Sequence, residues 1–213
     1  AAQTVVDLAA VRLPKSYGLS PLSGVQVLAP QRKGELGVYA LNERLQEALN
    51  PRAKGKSEYK GSLFTFREGD KVLQTRNNYD IEWDKGGEKG VGIFNGDIGI
   101  IREIDHPSAE MTIEFDERVC TYSFDMANEL ELAYAITVHK SQGSEYDAVV
   151  LPILGGYDKL YYRNLLYTAV TRAKKLLVLV GSRSRIAYMV ENNLRTLRYT
   201  GLKYFLINEQ EQS

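Results

Sequence analysis

A polar stretch of nine residues, 137–145, lies between two apolar segments and constrains how this chain can fold. Residues 130–136 alternate large apolar side chains with Glu131 and two alanines, and residues 148–153 form a short apolar run. Both patterns are typical of strands. The nine residues are therefore predicted to be a loop that leaves a strand, which is where open α/β sheets place their ligands.

The chemistry of this loop is unusually rich for its length. It reads Thr-Val-His-Lys-Ser-Gln-Gly-Ser-Glu. A Thr or Ser at the end of a strand can cap a short helical turn whose backbone N–H groups face a phosphate. Gly143 suits the left-handed end of such a turn. A polar loop between strands is also commonly a solvated connection, so the spacing alone leaves both interpretations open.

A second segment, residues 164–175, reads Asn-Leu-Leu-Tyr-Thr-Ala-Val-Thr-Arg-Ala-Lys-Lys and leads into an apolar strand pattern over 176–181. It predicts a helix with one apolar stripe and one polar stripe, and Arg172 lies on the polar stripe. The two segments, about thirty residues apart, resemble motifs V and VI of superfamily 1 DNA helicases. Their wording resembles the RecD-like branch, which includes the exodeoxyribonuclease V alpha subunit.

The N-terminal part has a strand, loop and helix order. Residues 25–28 predict a short buried strand, and helical spacing over 38–49 follows a loop with Arg32 and Lys33. A further helix is predicted over 5–13, ended by Pro14. The strand and loop resemble motif IV of RecD-like helicases, which implies that Arg32 or Lys33 approaches the nucleotide phosphates. A simple polar turn is the alternative.

Charge is distributed unevenly although the total is zero. Residues 1–67 carry 10 Lys and Arg against 5 Asp and Glu (+5), residues 68–147 carry 7 against 18 (−11), and residues 148–213 carry 10 against 4 (+6). We interpret the middle as an acidic insertion in a basic host domain that can meet a phosphate backbone. Charge blocks that only keep a surface solvated are the alternative interpretation.

The acidic segment predicts several short strands over residues 71–75, 98–104, 111–115 and 119–124, separated by turns at 77–78, 84–92, 95–96 and 107–108. A small barrel of this kind resembles the SH3-like insertion of RecD-like helicases. We expect the insertion to be 61–128 and the host domain to be 1–60 with 129–213. Local contact with a nucleic-acid strand is conceivable at Arg76, Asn77, Asn78 and Trp83.

The resemblance implies an α/β fold, a RecA-like parallel sheet flanked by helices, with an inserted SH3-like β-barrel. No G-x-x-x-x-G-K-[ST] phosphate loop is present, and no Asp-Glu or Asp-Gln pair follows an apolar strand. The chain is thus similar to the second RecA-like domain alone, the C-terminal part of a 5′-to-3′ helicase. The cofactor implied is ATP with Mg²⁺, with the metal ligands on the first domain.

The same resemblance implies roles for individual residues. Thr137 and His139 would contact the phosphates of single-stranded DNA, with Ser141 and Gln142 as weaker candidates. Gly143 and Glu145 would face the nucleotide. Arg172 would be the arginine finger, whose planar guanidinium matches the oxygens of a transferring phosphoryl group.

The implied partners are single-stranded DNA, an N-terminal RecA-like domain of the same protein and other recombination and repair subunits. A non-catalytic module that binds nucleic acid or protein is the rival hypothesis, and a Pif-like helicase is a third. No apolar run is long enough for a membrane span and no signal peptide is evident, so a cytoplasmic location is expected. One cysteine, Cys120, and two histidines give no metal-ligand spacing.

Overall fold

The computed structural model describes residues 1–154 and 160–193. Within them the strands form two large sheets and one small sheet. The strands are β1 Val25–Ala29, β2 Glu58–Lys60, β3 Thr65–Arg67, β4 Lys71–Gln74, β5 Asn78–Lys85, β6 Glu88–Ile93, β7 Ile98–Asp105, β8 Glu110–Phe115, β9 Arg118–Ser123, β10 Leu130–Leu132, β11 Ala135–Thr137, β12 Tyr146–Ile153 and β13 Ala173–Gly181. The helices are α1 Ala2–Asp7, α2 Leu13–Tyr17, α3 Val38–Leu49, α4 Arg163–Val170 and α5 Arg183–Glu191.

The host sheet is parallel and has the order β11-β1-β12-β13. Its central strands, β1 and β12, are mainly apolar and almost entirely buried, as expected when both faces of a parallel sheet are covered. In β12, for example, Val149, Val150 and Leu151 are completely buried. The predicted strands at 25–28, 148–153 and 176–181 are confirmed as β1, β12 and β13.

The N-terminal helix does not end at Pro14, as the sequence predicted. It passes through a π-helical stretch, Leu8–Arg12, and continues as α2 to Tyr17. Pro14 occupies the first turn of α2, where its missing N–H is tolerated. Gly18, with a φ of 63°, ends the helix.

The second large sheet is antiparallel and has the order β10-β4-β7-β8-β9-β5-β6. The strands predicted near 71, 98, 111 and 119 are confirmed as β4, β7, β8 and β9. The prediction of turns over 84–92 is wrong in part, because a hairpin of β5 and β6 occupies this glycine-rich region. Position 90 of β6 requires a glycine because the Trp83 indole lies where a side chain would be. A Cβ at Gly90 would be 2.3 Å from Trp83 Cζ2.

The segment 129–136, predicted as one strand, is two strands in different sheets. Leu130–Leu132 pairs with β4 of the antiparallel sheet, and Ala135–Thr137 pairs with β1 of the parallel sheet. Side-chain amides hold the crossing between them, since Gln26 donates to the carbonyls of Ala133 and Tyr134 and Asn42 donates to those of Leu132 and Ala135. The chain changes sheets at these two amides.

Cys120 is buried in β9, as predicted, and burial raises the pKa of its thiol to about 12. In the described ranges no helix is both long and apolar enough to cross a membrane. The sequence also predicts a helix around 185–192, and the structure has α5 at Arg183–Glu191. Asp158, which the sequence offers as the N-cap of the helix that precedes β13, and the C-terminal tail to Ser213 lie outside the described residues.

Candidate functional site

The loop 137–145 runs from the carboxyl-terminal edge of the parallel sheet, where its strands end, to the amino-terminal edge, where they begin. It leaves the carboxyl end of β11 and enters the amino end of β12, and these strands run parallel on either side of β1. The helix α4 accompanies it, with Tyr162 beside the start of the loop and Arg172 beside its end. The two ends of one loop therefore serve two separate places on the domain.

The start of the loop is a short helical turn that Thr137 caps. The Thr137 hydroxyl accepts from the Lys140 N–H at 3.2 Å, as a capping residue does, and residues His139–Ser141 form a 3-10 turn. His139 is exposed, with its Nε2 3.3 Å from the Tyr162 hydroxyl. Ser141 is completely buried and donates to the Val138 carbonyl at 2.7 Å. Gln142 is exposed.

Basic side chains surround this start. Glu131 lies between two of them, 3.2 Å from Arg32 and 2.9 Å from Lys140. Lys33 is exposed beside Arg32, at the exit of β1. The hydrogen bond to the Tyr39 hydroxyl raises the pKa of Arg32, and the charge of Glu131 adds to this effect against burial. The carboxyl edge of β1 and β11 thus carries three cations and one shared carboxylate.

The end of the loop is built around Arg172. Its guanidinium donates to the carbonyl oxygens of Ser144 and Thr168 at 3.0 and 3.2 Å and to the Thr171 hydroxyl at 3.1 Å. All three acceptors are neutral. Gly143 has a φ of 89°, and a side chain there would meet nothing within 4 Å. The positive charge of Arg172 is therefore not cancelled by a carboxylate in the described residues.

Glu145 stands at the same edge of the sheet. It is exposed, and its nearest cation is Lys174 at 4.0 Å, so this ion pair restrains it little. The next residue, Tyr146, is buried. Burial raises the pKa of Tyr146, against the smaller effect of a hydrogen bond with Ser144.

Strand register separates the two places. Thr137 is level with Ala29, and the pairing of β1 with β12 puts Ala29 level with Pro152. Arg172 directly precedes Ala173, which is level with Tyr146. Six residues of strand at roughly 3.3 Å each make the separation about 20 Å. Arg32 and Lys33 lie at the edge of Thr137 and His139, not at the edge of Glu145 and Arg172.

Sequence reasoning missed three contributors to this arrangement: Glu131, Lys140 and Tyr162. Glu131 and Lys140 were readable as opposite charges that flank the loop, but their pairing with Arg32 depends on the crossing between sheets. Tyr162 had no distinguishing pattern. Among residues 1–154 and 160–193, no three His, Cys, Asp or Glu side chains are grouped so that they could hold a metal ion. The roles assigned to individual site residues stay predictions.

Comparison with known families matches both parts of the chain. Residues 41–115 match the family described as "ATP-dependent RecD-like DNA helicase SH3 domain", and residues 132–180 match the "UvrD-like helicase C-terminal domain". The ATP-dependent RecD2 DNA helicase of Deinococcus radiodurans is 38% identical over 160 residues, 75% of this chain and 20% of that protein. The RecBCD enzyme subunit RecD of Mycolicibacterium smegmatis is 29% identical over 195 residues, 92% and 31%.

Solved structures of similar fold include Bacteroides Pif1 bound to single-stranded DNA, with a TM-score of 0.52 and 16% identity over 97% of this chain and 50% of that one. Pif1 helicase from Candida albicans has a TM-score of 0.51 and 18% identity over 98% and 53%. These likenesses establish the RecA-like α/β fold. The chain spans between a fifth and a third of the two RecD relatives' length. The two family matches and the RecD relatives point to the same family. The chain therefore belongs to the RecD-like branch of the superfamily 1 DNA helicases, of which it represents one region.

Proposed function

We propose that this chain is the second motor domain of an ATP-dependent 5′-to-3′ DNA helicase. It would hold part of the single-strand track at one end of the loop 137–145 and present Arg172 to the nucleotide at the other. The single observation that carries this proposal is the course of that loop. It joins an exposed basic edge to a second edge where an arginine is held only by neutral oxygen atoms.

At the strand-binding edge, exposed His139 and the capped turn that begins at Thr137 offer donors to DNA phosphates. Arg32 and Lys33, which the sequence resemblance assigned to the nucleotide, lie at this edge, and we propose that they attract the strand instead. Lys140 adds a third positive charge. Ser141 has its hydroxyl engaged within the turn, so we propose that it stabilises the turn rather than contacting DNA.

At the nucleotide-binding edge, the backbone around Gly143 is open, the Glu145 carboxylate can accept from a ribose hydroxyl, and Arg172 can donate to phosphoryl oxygens. ATP with Mg²⁺, bound between this domain and an N-terminal RecA-like domain, would supply the phosphoryl group that is transferred. Since half of that site is on the other domain, we expect this chain alone not to hydrolyse ATP.

Arg172 also offers a route for coupling. Its hydrogen bond to the Ser144 carbonyl ties the end of the loop to the end of α4. When the guanidinium turns toward phosphate, this bond would break and the loop would be released at one end. The other end carries Thr137 and His139. A change at the nucleotide would thereby alter the grip on the strand.

The test measures the binding of a fluorescently labelled oligo-dT of about twenty nucleotides to the 213-residue chain. Fluorescence anisotropy of the oligonucleotide reports the fraction bound. The slope of about 0.7 per phosphate in the salt dependence of single-strand binding comes from phosphates neutralised by lysine and arginine. Thr137 and His139 would contact phosphates as neutral donors, so we expect the double variant Thr137→Ala/His139→Ala to bind at least about tenfold more weakly with an unchanged salt slope.

A matched control is available in the insertion. His106 is the other histidine of the chain, and Thr121 is an exposed threonine of β9. The variant His106→Ala/Thr121→Ala makes the same chemical change away from the loop and should bind as the unaltered chain does. Equal weakening in both double variants, or no weakening in either, would contradict the proposed track.

A further inference from the structure

An open groove of about 790 Å³ crosses the end of the antiparallel sheet, far from the loop 137–145 in topology. Strands β5, β6 and β9 line most of it. Its apolar side chains include Trp83, Val91, Val119 and Met126. Val91 is 63% exposed and Val119 is 41% exposed. Val91 and Val119 lie on one face of the sheet and Trp83 lies on the other, because Val91 pairs with Glu82 and Val119 with Asp84, the two neighbours of Trp83 in β5. Exposed apolar side chains grouped on a surface favour an interaction site.

The groove is also acidic. Glu82, Asp84 and Glu110 line it together with Lys89. No lysine or arginine in the described part of the chain forms an ion pair with any of the three carboxylates. Elsewhere in the insertion carboxylates are paired, as Glu114 is with Arg102 and Glu117 with Lys85. The unpaired carboxylates favour a cationic occupant and oppose a phosphate backbone.

The groove ends at a free strand edge. β6 is the last strand in the sheet order and pairs only with β5 among the strands described. Its outer N–H and C=O groups are therefore available to another strand. Gly92, with a φ of 99°, turns the end of β6, so residues 88–91 present the straight part of the edge.

We propose that this groove and edge bind an extended segment of a partner protein in which apolar residues alternate with lysine or arginine. The segment would add to the sheet beside β6, the main-chain hydrogen bonds giving affinity. Because alternate side chains of a strand face opposite sides of a sheet, its cations would lie on the face of Glu82 and Asp84, and its apolar side chains on the opposite face, beside Gly90 and the Trp83 ring. The net charge of −11 over residues 68–147 adds long-range attraction for such a segment.

Trp83 makes the test direct, because it is the single tryptophan of the 213 residues and it lines the groove. The probe is an acetylated and amidated decapeptide of alternating valine and lysine, titrated into the whole chain while Trp83 emission is recorded. We expect a saturable change with a dissociation constant below about 1 mM. The same decapeptide with glutamate in place of lysine should cause none.

Two further measurements separate strand addition from general attraction. Glu82→Lys should weaken binding at least about tenfold, while Glu43→Lys, the same charge change on the exposed side of α3, should leave it unchanged; both sites are exposed, so both variants should fold. Two N-methylated peptides test strand addition, one methylated at every valine nitrogen and one at every lysine nitrogen. Alternate N–H groups of a strand point to opposite neighbours, so only one of the two sets faces β6. One methylated peptide should therefore lose binding and the other should keep it.

The proposal is overturned if the lysine peptide causes no change below about 1 mM, or if both N-methylated peptides bind alike. Equal weakening by Glu43→Lys and Glu82→Lys would also contradict the proposal, because it would show that binding depends on net charge and not on the groove. If oligo-dT changes Trp83 emission and displaces the peptide, the groove is a nucleic-acid site and the peptide assignment is wrong.

Discussion

At the scale of single residues, Arg172 is held by three neutral oxygen atoms, and this arrangement decides what its removal should cost. A partly exposed side chain with such bonds contributes on the order of 1 kcal/mol to stability. An arginine finger contributes about a thousandfold or more to turnover. In a longer protein that includes the first motor domain, Arg172→Ala should therefore stop ATP hydrolysis with only a small fall in thermal midpoint.

Two variants sharpen that prediction. Arg172→Lys should rescue little, because an ammonium lacks the planar set of donors. Arg163→Ala removes an exposed arginine from the start of α4, where it donates to the Val190 carbonyl, and should leave hydrolysis unchanged. The role of Arg172 is refuted if its alanine variant keeps more than about a tenth of the activity, or if activity and folding fall together.

Lys71 predicts a pH dependence of stability. It is almost fully buried, its ammonium donates to the Gln26 side chain at 2.8 Å, and burial lowers its pKa to about 8. The unfolded chain thus binds this proton more tightly than the folded chain does between pH 8 and roughly 10.4. Burying the charged Lys71 ammonium lowers the free energy of unfolding by its full amount below pH 8. This destabilising contribution diminishes as the pH rises through the window.

Lys71 should contribute a rise in the free energy of unfolding of about 2 kcal/mol between roughly pH 7.5 and 9.5, measured as the difference between the unaltered chain and Lys71→Met. The difference is needed because the Cys120 thiol, whose pKa burial raises to about 12, contributes an opposing fall over the same window. Urea unfolding at several pH values would measure it. Lys71→Met should remove the rise, while Lys89→Met, at an exposed site of β6, should retain it. A rise that persists in Lys71→Met would mean that another group is responsible.

At the scale of structural elements, the strands that the sequence predicted correctly are those whose pattern follows from local burial. β1 and β12 are mainly apolar because both faces of these central parallel strands are buried. The segment 130–136 also alternates, but its division between two sheets depends on Gln26 and Asn42, which are distant in sequence. Alternation reports which faces are buried and carries no information about the partner strand.

The candidate site shows the same limit. Residues 137–145 were predictable as a polar loop because polar groups are concentrated there. The helix predicted over 164–175 is too long, since α4 ends at Val170 and Arg172 lies in the turn before β13 rather than on a helix stripe. The placement of Arg32 was not predictable. Whether a side chain after β1 lies near Thr137 or near Arg172 depends on strand order and direction, which no local pattern in 25–34 specifies.

The hairpin of β5 and β6 depends on one close approach that suggests an experiment. A Cβ at Gly90 would lie 2.3 to 2.8 Å from three atoms of the Trp83 indole, so the ring must move if any side chain is added. Gly90→Ala should destabilise the chain by about 1–3 kcal/mol and shift Trp83 emission to longer wavelength. Lys89→Ala, an exposed neighbour in the same strand, should do neither. Unchanged emission in Gly90→Ala would show that the ring does not lie over this glycine.

At the scale of the whole molecule, buried polar groups join the two large sheets. Asp70, at the start of β4, accepts hydrogen bonds from Asn50, Gln46 and Tyr134 side chains at 2.6, 2.6 and 2.8 Å, and from the Arg67 N–H at 2.7 Å. Asn50 and Gln46 belong to the end of α3 in the host. Burial raises the pKa of Asp70 against the effect of these donors. One carboxylate thus ties the insertion to the host helix.

This junction predicts that the two sheets unfold together and that Asp70 is responsible. Asp70→Ala removes the acceptor of the Tyr134 hydroxyl and one of the two acceptors of each of the Asn50 and Gln46 amides, which should cost about 3–5 kcal/mol. Two probes report on different parts, since Trp83 lies in the antiparallel sheet and α3, α4 and α5 accompany the parallel sheet. In the unaltered chain, Trp83 emission and helical ellipticity should therefore change at the same urea concentration.

If Asp70 is responsible, the two transitions should separate in Asp70→Ala. The competing source of coupling is the shared apolar core, which contains Val27 of the parallel sheet and Ile101 of the antiparallel sheet. Asp80→Ala, at an exposed position of β5, is the matched control and should keep the transitions coincident. Coincident but shifted transitions in Asp70→Ala would show that apolar packing alone couples the sheets. Separate transitions in the unaltered chain would show that the antiparallel sheet unfolds independently of the parallel sheet, which would contradict the coupling assigned to Asp70.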